Sequence, residues 1–598
     1  MCDTPPILPR LTEHEKLPAD RKADVRNEDI VQTLNAIADL LEIKGDSRFR
    51  VNAYRDAGRH VEGLTESLAT IAAEGRLRSV PGIGEAIATK IQEMLETGHL
   101  AYYDRLSTEI PTTLLDLLQV PGLGPRKVKL LYESLRVQNL ADLQQALQDG
   151  RVAALAGMGE KTAQNLQREL ERWEQRGRRV PLGVALPLVE EIVAALRERC
   201  AAILQIDSAG SVRRRRDTIG DLDVLATSER PDDVLNAFTA LPMVQEVVAR
   251  GDTKASILTG RQQQVDLRVV APDSWGAALQ YFTGSKQHNV RVREIAVRKG
   301  WRLNEYGLIE AATDRKLAGA EEEDIYHQLG MAWVPPELRE DAGEIDAALA
   351  DRLPRLIEVG DVRGDLHSHS DWSDGSATIE TMWQAARARG LAYLALTDHS
   401  QSLGVANGLS VERIRQQQAI VDEINRRGDG PRLLHGVELE IRADGSLDFP
   451  DDVLAELDVV VASVHSSLGQ PRDKMTARLI AAARNPHVDI IGHPTGRLLG
   501  RREPYDVDIE ALIGACAESG TALEINANPA RLDLDDVHAR RAVEKGVWLA
   551  IDTDAHAIDN FDLLPYGIFT ARRAWVGPEH VLTCLPLAAL LAHLAKRG

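Results

Sequence analysis

Between His367 and His556, imidazoles and carboxylates recur at the ends of short apolar runs, and this recurrence limits the folds open to the C-terminal half. GDLHSHSDWSDG places His367 and His369 two apart, on one face of an extended segment, with Asp374 soon after. AYLALTDHS leads to His399, HGVELEI carries Glu438, VVVASVHSS carries His465, DIIGHPTGR carries His493, and WLAIDTDAH carries Asp554 and His556. Helical segments such as IETMWQAARARG and DIEALIGACAESG lie between most of these runs. Strands alternating with helices predict parallel pairing, and ligands at strand C-termini predict a distorted β/α barrel with its site on that face. One histidine in such a place is more often structural than ligating. Six histidines and three acids together are unfavourable unless the imidazoles are neutral and coordinated. Imidazole with carboxylate suits zinc, manganese or iron better than magnesium alone.

A second constellation lies upstream, in GSVRRRRDTIGDLDV from Gly210 to Val224. Asp221 and Asp223 are two apart, so on a strand both side chains face the same way and repel unless a cation lies between them. Magnesium, which takes carboxylate oxygens and keeps positions for phosphate, fits that need. QVDLRVV, apolar and β-branched, offers Asp266 as a third acid from a neighbouring strand. Gly210 and Ser211 form a tight turn whose backbone N–H groups can hold phosphate oxygens.

The N-terminal region is helical in pattern, with Ile30, Leu34, Ile37, Leu40 and Leu41 at three- and four-residue spacing. Three glycine turns then open helices: VPGIGEAIATKI with Gly82 and Gly84, VPGLGPRKVKLL with Gly122 and Gly124, and the degenerate LAGMGEKTAQNL. Such turns present N–H donors at a helix N-terminus, which suits a DNA phosphate and reads no base. Lys90, at the edge of the stripe of Ile87, Ile91, Met94 and Leu95, reads by default as a lysine with its stem on apolar surface and its charge in water.

A chain of 598 residues predicts several domains. Its net charge of −20 alone argues against a nucleic-acid partner. The distribution is uneven: acids follow Glu321 and surround Asp448, whereas Arg176, Arg178, Arg179 and Arg213 to Arg216 predict a local basic surface sufficient for phosphate contact. The sequence contains no apolar run long enough to span a bilayer and no signal-peptide core at its start, and Cys2, Cys200, Cys516 and Cys584 show no metal or redox spacing. A cytoplasmic protein with no membrane partner is expected.

GSVRRRRDTIGDLDV, QVDLRVV and YFTGSKQHNVRVREIAVRKGWRLNEYGL resemble, in order and separation, the palm and thumb of a family X (polymerase-beta-like) DNA polymerase. The glycine turns resemble helix-hairpin-helix motifs, and the histidine-rich region resembles a PHP (polymerase and histidinol phosphatase) domain with all nine ligand positions filled. Together the halves resemble the bacterial form of family X polymerase. The implied fold is multidomain, α+β and α/β, with helical helix-hairpin-helix domains, a nucleotidyltransferase-type palm with thumb, and a distorted β/α barrel. The implied boundaries are a mobile tail at 1–26, a lyase-like helical domain at 27–104, a fingers-type domain at 105–180, a palm at 181–275, a thumb at 276–340, a linker at 341–361 and a PHP phosphoesterase domain at 362–598.

The resemblance also implies roles. Asp221, Asp223 and Asp266 hold two magnesium or manganese ions; Gly210, Ser211, Arg214 and Gly220 contact the triphosphate; Tyr281, Phe282 and Gly284 pack on the sugar; Asn289 and Arg293 approach the base and template. Lys286 stands where vertebrate members have an acid. Gly82, Gly84, Gly122, Gly124, Arg50 and Tyr54 contact DNA, and Lys90 falls on the family's deoxyribose-phosphate lyase nucleophile, although Ala86 and Phe49 replace a lysine and a histidine of the vertebrate pattern. The nine C-terminal ligands hold three transition-metal ions, manganese or zinc, with Glu438 as a bridge. The expected protein is a monomeric short-gap repair polymerase that takes deoxynucleoside triphosphates and gapped or primed DNA with a 5′-phosphate. Its PHP domain is expected to act as a 3′-5′ exonuclease and an abasic-site endonuclease. The alternative is a DNA-tethered phosphatase of small molecules with a non-catalytic polymerase-like binding module; the intact acids argue against it.

Overall fold

The computed structural model describes residues 27–595 apart from 63–67, 74, 81, 119, 121–122, 156, 178 and 262. The expected tail, Gly122 and Arg178 lie outside the described residues. The chain divides into two compact units, one ending at Gly177 and including Leu403–Asn407, the other holding the remainder. Among the described residues no helix is long and apolar enough to cross a membrane.

Among the described residues, the regular elements of the first unit are all helices. Ile30, Leu34, Ile37, Leu40 and Leu41, predicted as one face, are buried on helix Asn27–Lys44, which packs on Arg48–Glu62. Helix Glu85–Thr97 starts after the first glycine turn and Pro125–Leu135 after the second. Gly82 has φ +79°, and a Cβ there would meet the His60 ring 2.8 Å away, so the turn requires glycine. Gly84 and Gly124 instead have extended N-cap backbones, and a Cβ at either meets no described atom within 4 Å. Their faces are open.

In the second unit a five-stranded sheet runs in the order Gln205–Ser208, Leu222–Thr227, Gln264–Val270, Lys254–Thr259, Val244–Arg250. Its central pair is parallel and sets Asp223 directly opposite Asp266. A three-stranded antiparallel sheet, Trp301–Asn304, Gly307–Glu310 and Lys316–Ala318, follows in the expected thumb.

The C-terminal region forms a seven-stranded sheet, Gly364–Asp365, Tyr393–Leu396, Arg432–Glu440, Val459–Ser463, Ile490–Ile491, Ala522–Asn526 and Leu549–Asp552, in which every pairing is parallel. Beyond its first and last strands, Ser368 bridges Ala555, and the His369 amide donates to the Ala555 carbonyl at 2.8 Å. The sheet therefore curls into a nearly closed barrel, as the strand-end pattern predicts. Helices Ile379–Ala388, Val411–Arg427, Arg472–Ala483, Ile509–Ser519 and Asp536–Glu544 separate the strands. Several begin at side-chain caps, with Thr378, Ser410, Asp508 and Asp535 each accepting an amide hydrogen of the first turn. The strands are buried on both faces, which explains their unbroken apolar runs.

The run Arg213 to Arg216, expected as local basic surface, is largely internal. Arg213 Nη1 and Nη2 donate to the two Glu322 carboxylate oxygens at 2.9 and 3.0 Å. Arg214 Nε donates to Glu340 at 2.9 Å, and Arg215 stacks 4.5 Å from the Phe569 ring centroid. Only Arg216 keeps a side chain as much as 39% exposed. A buried guanidinium needs an acid partner, and the acids after Glu321 supply it in part. Glu322 is 4% exposed and also accepts from Arg339 Nη1 at 2.6 Å and Trp333 Nε1 at 3.1 Å.

Glu322→Gln removes half of this buried charge balance and is expected to destabilise the second unit by about 3–5 kcal/mol, read as a lowered calorimetric melting transition. Pairing it with Arg339→Met should recover part of the loss. Burial alone would raise the Glu322 pKa, but Arg339 and Arg213 hold it below its ordinary 4.5. The stabilisation is thus complete above that value and is lost as falling pH protonates the folded carboxylate. Melts at decreasing pH should therefore show a drop in the wild type that the glutamine variant lacks.

Candidate active sites

On the five-stranded sheet, register does what spacing alone could not. Parallel pairing places the Asp223 and Asp266 carboxylates side by side, and Asp221 precedes the first strand by one residue. Burial, then the charges of Asp221 and Asp266, push the Asp223 pKa up to about 7. Asp266 goes the other way: Lys254 and Gln264 overcome its burial and keep it ionised. Lys254 Nζ lies 2.6 Å from Asp266 Oδ2, and Gln264 Nε2 donates to Oδ1 at 3.0 Å. Gly210, at φ +60°, passes so close that a Cβ would lie 2.1 Å from Asp223 Oδ2. An oxygen-only set of three acids suits a hard divalent ion.

The other expected nucleotide contacts come from residues 210–220 and 281–293. Ser211 is in the helical turn Gly210–Arg213, and the Gly220 carbonyl accepts from Gln263 Nε2 at 2.5 Å. Arg214 Nη1 donates to the Thr283 carbonyl at 2.5 Å, next to Gly284 at φ +69°. Tyr281 and Phe282 meet edge to face at 5.1 Å, and Arg268 covers the Phe282 ring at 4.8 Å. Lys286 opens helix Lys286–Arg298 and is exposed. Asn289 is buried; its Nδ2 donates to the Tyr281 carbonyl at 2.7 Å, and its Oδ1 accepts from Gln280 Nε2 at 2.8 Å. Asn289 thereby shapes the Tyr281–Gly284 segment. Arg293 Nε donates back to the Asn289 carbonyl at 3.2 Å.

In the barrel, the nine strand-end residues come together. Three overlapping groups form: His369, Asp374, His399 and His556; His367, His369, Glu438 and Asp554; and His399, Glu438 and His465, each with one donor atom per residue within 4.8 Å of the others. His493 joins through Nε2, 3.0 Å from Glu438 Oε1. Glu438 is central. Its Oε2 lies 2.9 Å from His399 and 3.3 Å from His367, and its Oε1 lies 3.2 Å from His465.

Charge in this cluster is strongly polarised. Burial would raise the Glu438 pKa, but His399, His465 and His367 hold it well below the carboxylate range. His367 and His369 similarly hold Asp554 low against its burial. Burial, reinforced by His556 and His399, drives His369 down to about 3, whereas Glu438 and Asp374 outweigh burial and lift His399 to about 10. Buried Nε2 of His367 and Nδ1 of His369 have no hydrogen-bond partner among the described residues. Imidazoles whose lone pairs face shared carboxylates fit a multinuclear transition-metal centre.

Orienting groups behind the ligands complete the site, and the motif reading missed them. Glu524 Oε1 lies 2.6 Å from His367 Nδ1, and Glu440 Oε2 lies 3.0 Å from His465 Nδ1, which turns each Nε2 inward. Glu440 had a legible signal, since it lies two residues beyond Glu438 on the same strand face. Glu524 and Lys254 had none, because Glu524 acts from a strand distant in sequence and Lys254 from the paired neighbour strand, whose register no motif shows.

In the helical unit, Lys90 lies 4.9 Å from the Tyr102 ring centroid, Tyr102 stacks on Tyr54, and Arg50 Nη2 donates to the Tyr102 hydroxyl at 2.9 Å. Burial, then the charge of Arg50, lowers the Lys90 pKa, the direction an amine nucleophile needs.

Comparison with known proteins agrees with this arrangement. Models of a helix-hairpin-helix domain match residues 25–100, a SAM-like helix-hairpin-helix tandem 114–172, the DNA polymerase beta thumb 278–340 and the PHP domain 365–528. Asp554 and His556 lie beyond that last span and reach the cluster through barrel closure. The chain is 40% identical to the DNA polymerase/3′-5′ exonuclease PolX of Bacillus subtilis, over 96% of its own length and 100% of the relative. It is 26% identical to rat DNA polymerase lambda over 54% of this chain and 58% of the relative, and 33% identical to a probable phosphatase of Thermoanaerobacter over 33% of this chain and 80% of the relative. With helix-hairpin-helix units, a polymerase-beta thumb and a PHP barrel in one chain, and a full-length match to such a relative, the chain belongs to the family X DNA polymerases that carry a C-terminal PHP domain.

Proposed function

We propose that this chain is a DNA-directed DNA polymerase that fills short gaps in base-excision repair in the cytoplasm, and that its PHP domain is a metal-dependent 3′-5′ exonuclease that also incises at abasic sites. The observation that carries the reading is the coexistence, in one unit, of the Asp223–Asp266 register pair and the nine-residue cluster around Glu438. We divide the chain at 27–104, 105–180, 181–275, 276–340 and 362–598, with 1–26 as a tail and 341–361 as a linker. The substrates are deoxynucleoside triphosphates and primed or gapped duplex with a 5′-phosphate, handled by a monomer. The likeness of the barrel to probable phosphatases supports phosphoester hydrolysis in general; the three acids of the sheet favour the polymerase over a phosphatase with an inert binding module.

Asp221 and Asp223 would hold two magnesium or manganese ions, with Asp266 on the primer side, and the PHP residues would hold three manganese or zinc ions. When bound, such ions polarise phosphate oxygens and lower the pKa of an attacking hydroxyl or water. Lys254 keeps Asp266 ionised and fixes its orientation. Gly210 and Ser211 offer backbone N–H groups to the triphosphate, Arg214 adds charge, and the Tyr281–Gly284 segment, braced by Asn289, supports the sugar. Glu440 and Glu524 hold the rings of His465 and His367. Lys90, near Tyr102 and Arg50, would act as the amine nucleophile toward a deoxyribose phosphate.

Asp223→Ala should lower primer extension on gapped DNA on the order of a thousandfold or more, while digestion of a 3′ end continues at the wild-type rate. Near-normal extension would refute the polymerase site. His369→Ala or Glu438→Ala should do the reverse, abolishing 3′ digestion and sparing extension; a wild type that prefers a small phosphomonoester to DNA would move the barrel to the phosphatase reading. Gly84→Asp should weaken binding to gapped DNA at least several-fold with no loss of melting temperature, because its side chain has open space and its charge faces the proposed phosphate. Unchanged binding in a fluorescence anisotropy titration would leave the turn with a structural role only.

A further inference from the structure

We infer that Arg573, in the C-terminal domain, is a positioning residue for Arg214 and thereby part of the nucleotide site of the polymerase; the inference rests on the reading that Arg214 contacts the triphosphate. Arg573 ends helix Leu564–Arg573, and its side chain is only 4% exposed. Its Nη1 donates to the backbone carbonyl of Arg214 at 3.0 Å and to Glu340 Oε1 at 3.3 Å, and its Nη2 pairs with Asp536. The same Glu340 oxygen accepts from Arg214 Nε at 2.9 Å. Asp536, Arg573, Glu340 and Arg214 therefore form a row of alternating charge that starts in the barrel domain and ends where Arg214 Nη1 meets the Thr283 carbonyl at 2.5 Å. The same helix grips the next residue too: Arg215, at φ +55°, stacks on Phe569.

This geometry gives Arg573 two effects on Arg214. It fixes the backbone from which Arg214 projects, and it shares the acid that holds the Arg214 side chain. When a triphosphate draws Arg214 away, Glu340 keeps Arg573 as its counterion and is not left as a half-buried unpaired charge. Without Arg573, Glu340 keeps Arg214 and, at 3.9 Å, the more exposed Arg216, and so competes more strongly with the nucleotide for Arg214. Loss of Arg573 should therefore weaken nucleotide binding more than the chemical step.

The test is steady-state extension of a gapped primer by the full chain with varied deoxynucleoside triphosphate. Arg573→Met should raise KM on the order of tenfold with kcat within about twofold, the loss of one charge-assisted contact. Arg573→Lys should fall between. Arg572→Met is the control: Arg572 lies on the same helix but binds Glu337 Oε1 at 2.7 Å and the Ile357 carbonyl at 3.1 Å, so KM should not move. Adding Glu340→Gln to Arg573→Met should return KM toward the wild type, because the competing charge is gone. An unchanged KM in Arg573→Met, an equal rise in Arg572→Met, or no recovery in the double variant would overturn the inference. A wild type that fails to extend the primer would overturn the nucleotide reading and this inference together.

Discussion

Parallel strand pairing places like charges where, free in solution, they would separate. Hydrogen bonds between Leu222–Thr227 and Gln264–Val270 fix Asp223 opposite Asp266, and neighbouring strands lie only about 4.8 Å apart. The strain shows in Asp223, whose pKa rises to about 7 through burial and the charges of Asp221 and Asp266. The barrel applies the same constraint on a larger scale. Its strands all run one way, so the clustered imidazoles and carboxylates come from six of the seven strands to one mouth.

Each set of like groups is backed by a layer of opposite character. Behind the palm acids stands Lys254, which keeps Asp266 ionised. Behind the barrel imidazoles stand Glu440 and Glu524, which orient rings and raise the basicity of the nitrogens facing inward. Glu438 differs because it lies within the imidazole set, close to His367, His399, His465 and His493, and so balances their charge directly. Histidines in one site consequently diverge, from about 3 for His369 to about 10 for His399. Burial and local partners, not residue type, separate them.

Arginine and acid do comparable work between the sheets. Arg213, Glu322 and Arg339 tie the palm to the thumb, while Arg572 and Arg573 reach Glu337 and Glu340 from the barrel domain. Buried ion pairs add little net stability over apolar packing, yet removing one partner is expensive, which makes such pairs effective at fixing a single arrangement of domains. The five-stranded sheet, thumb and barrel are thus joined through charges that sit beside Arg214 and its loop.

Much of the site was legible in the sequence because its signals are local. Asp221 with Asp223, His367 with His369, and histidines directly after apolar runs all follow from the two-residue period of a strand, and the glycine turns follow from the demands of a helix start. The parallel barrel followed from alternation of strands and helices. What the sequence by itself determined, then, was which imidazoles and carboxylates would cluster and the class of fold. Tertiary structure decided which groups stand behind those ligands and where each charged run goes. Lys254 meets Asp266 only through an antiparallel neighbour strand, Glu524 meets His367 across the barrel, and Arg213 and Arg214 turn inward to acids more than a hundred residues away. A charged side chain has no periodicity that reveals its partner; burial creates the need for a counterion, and only the folded packing determines which one is within reach.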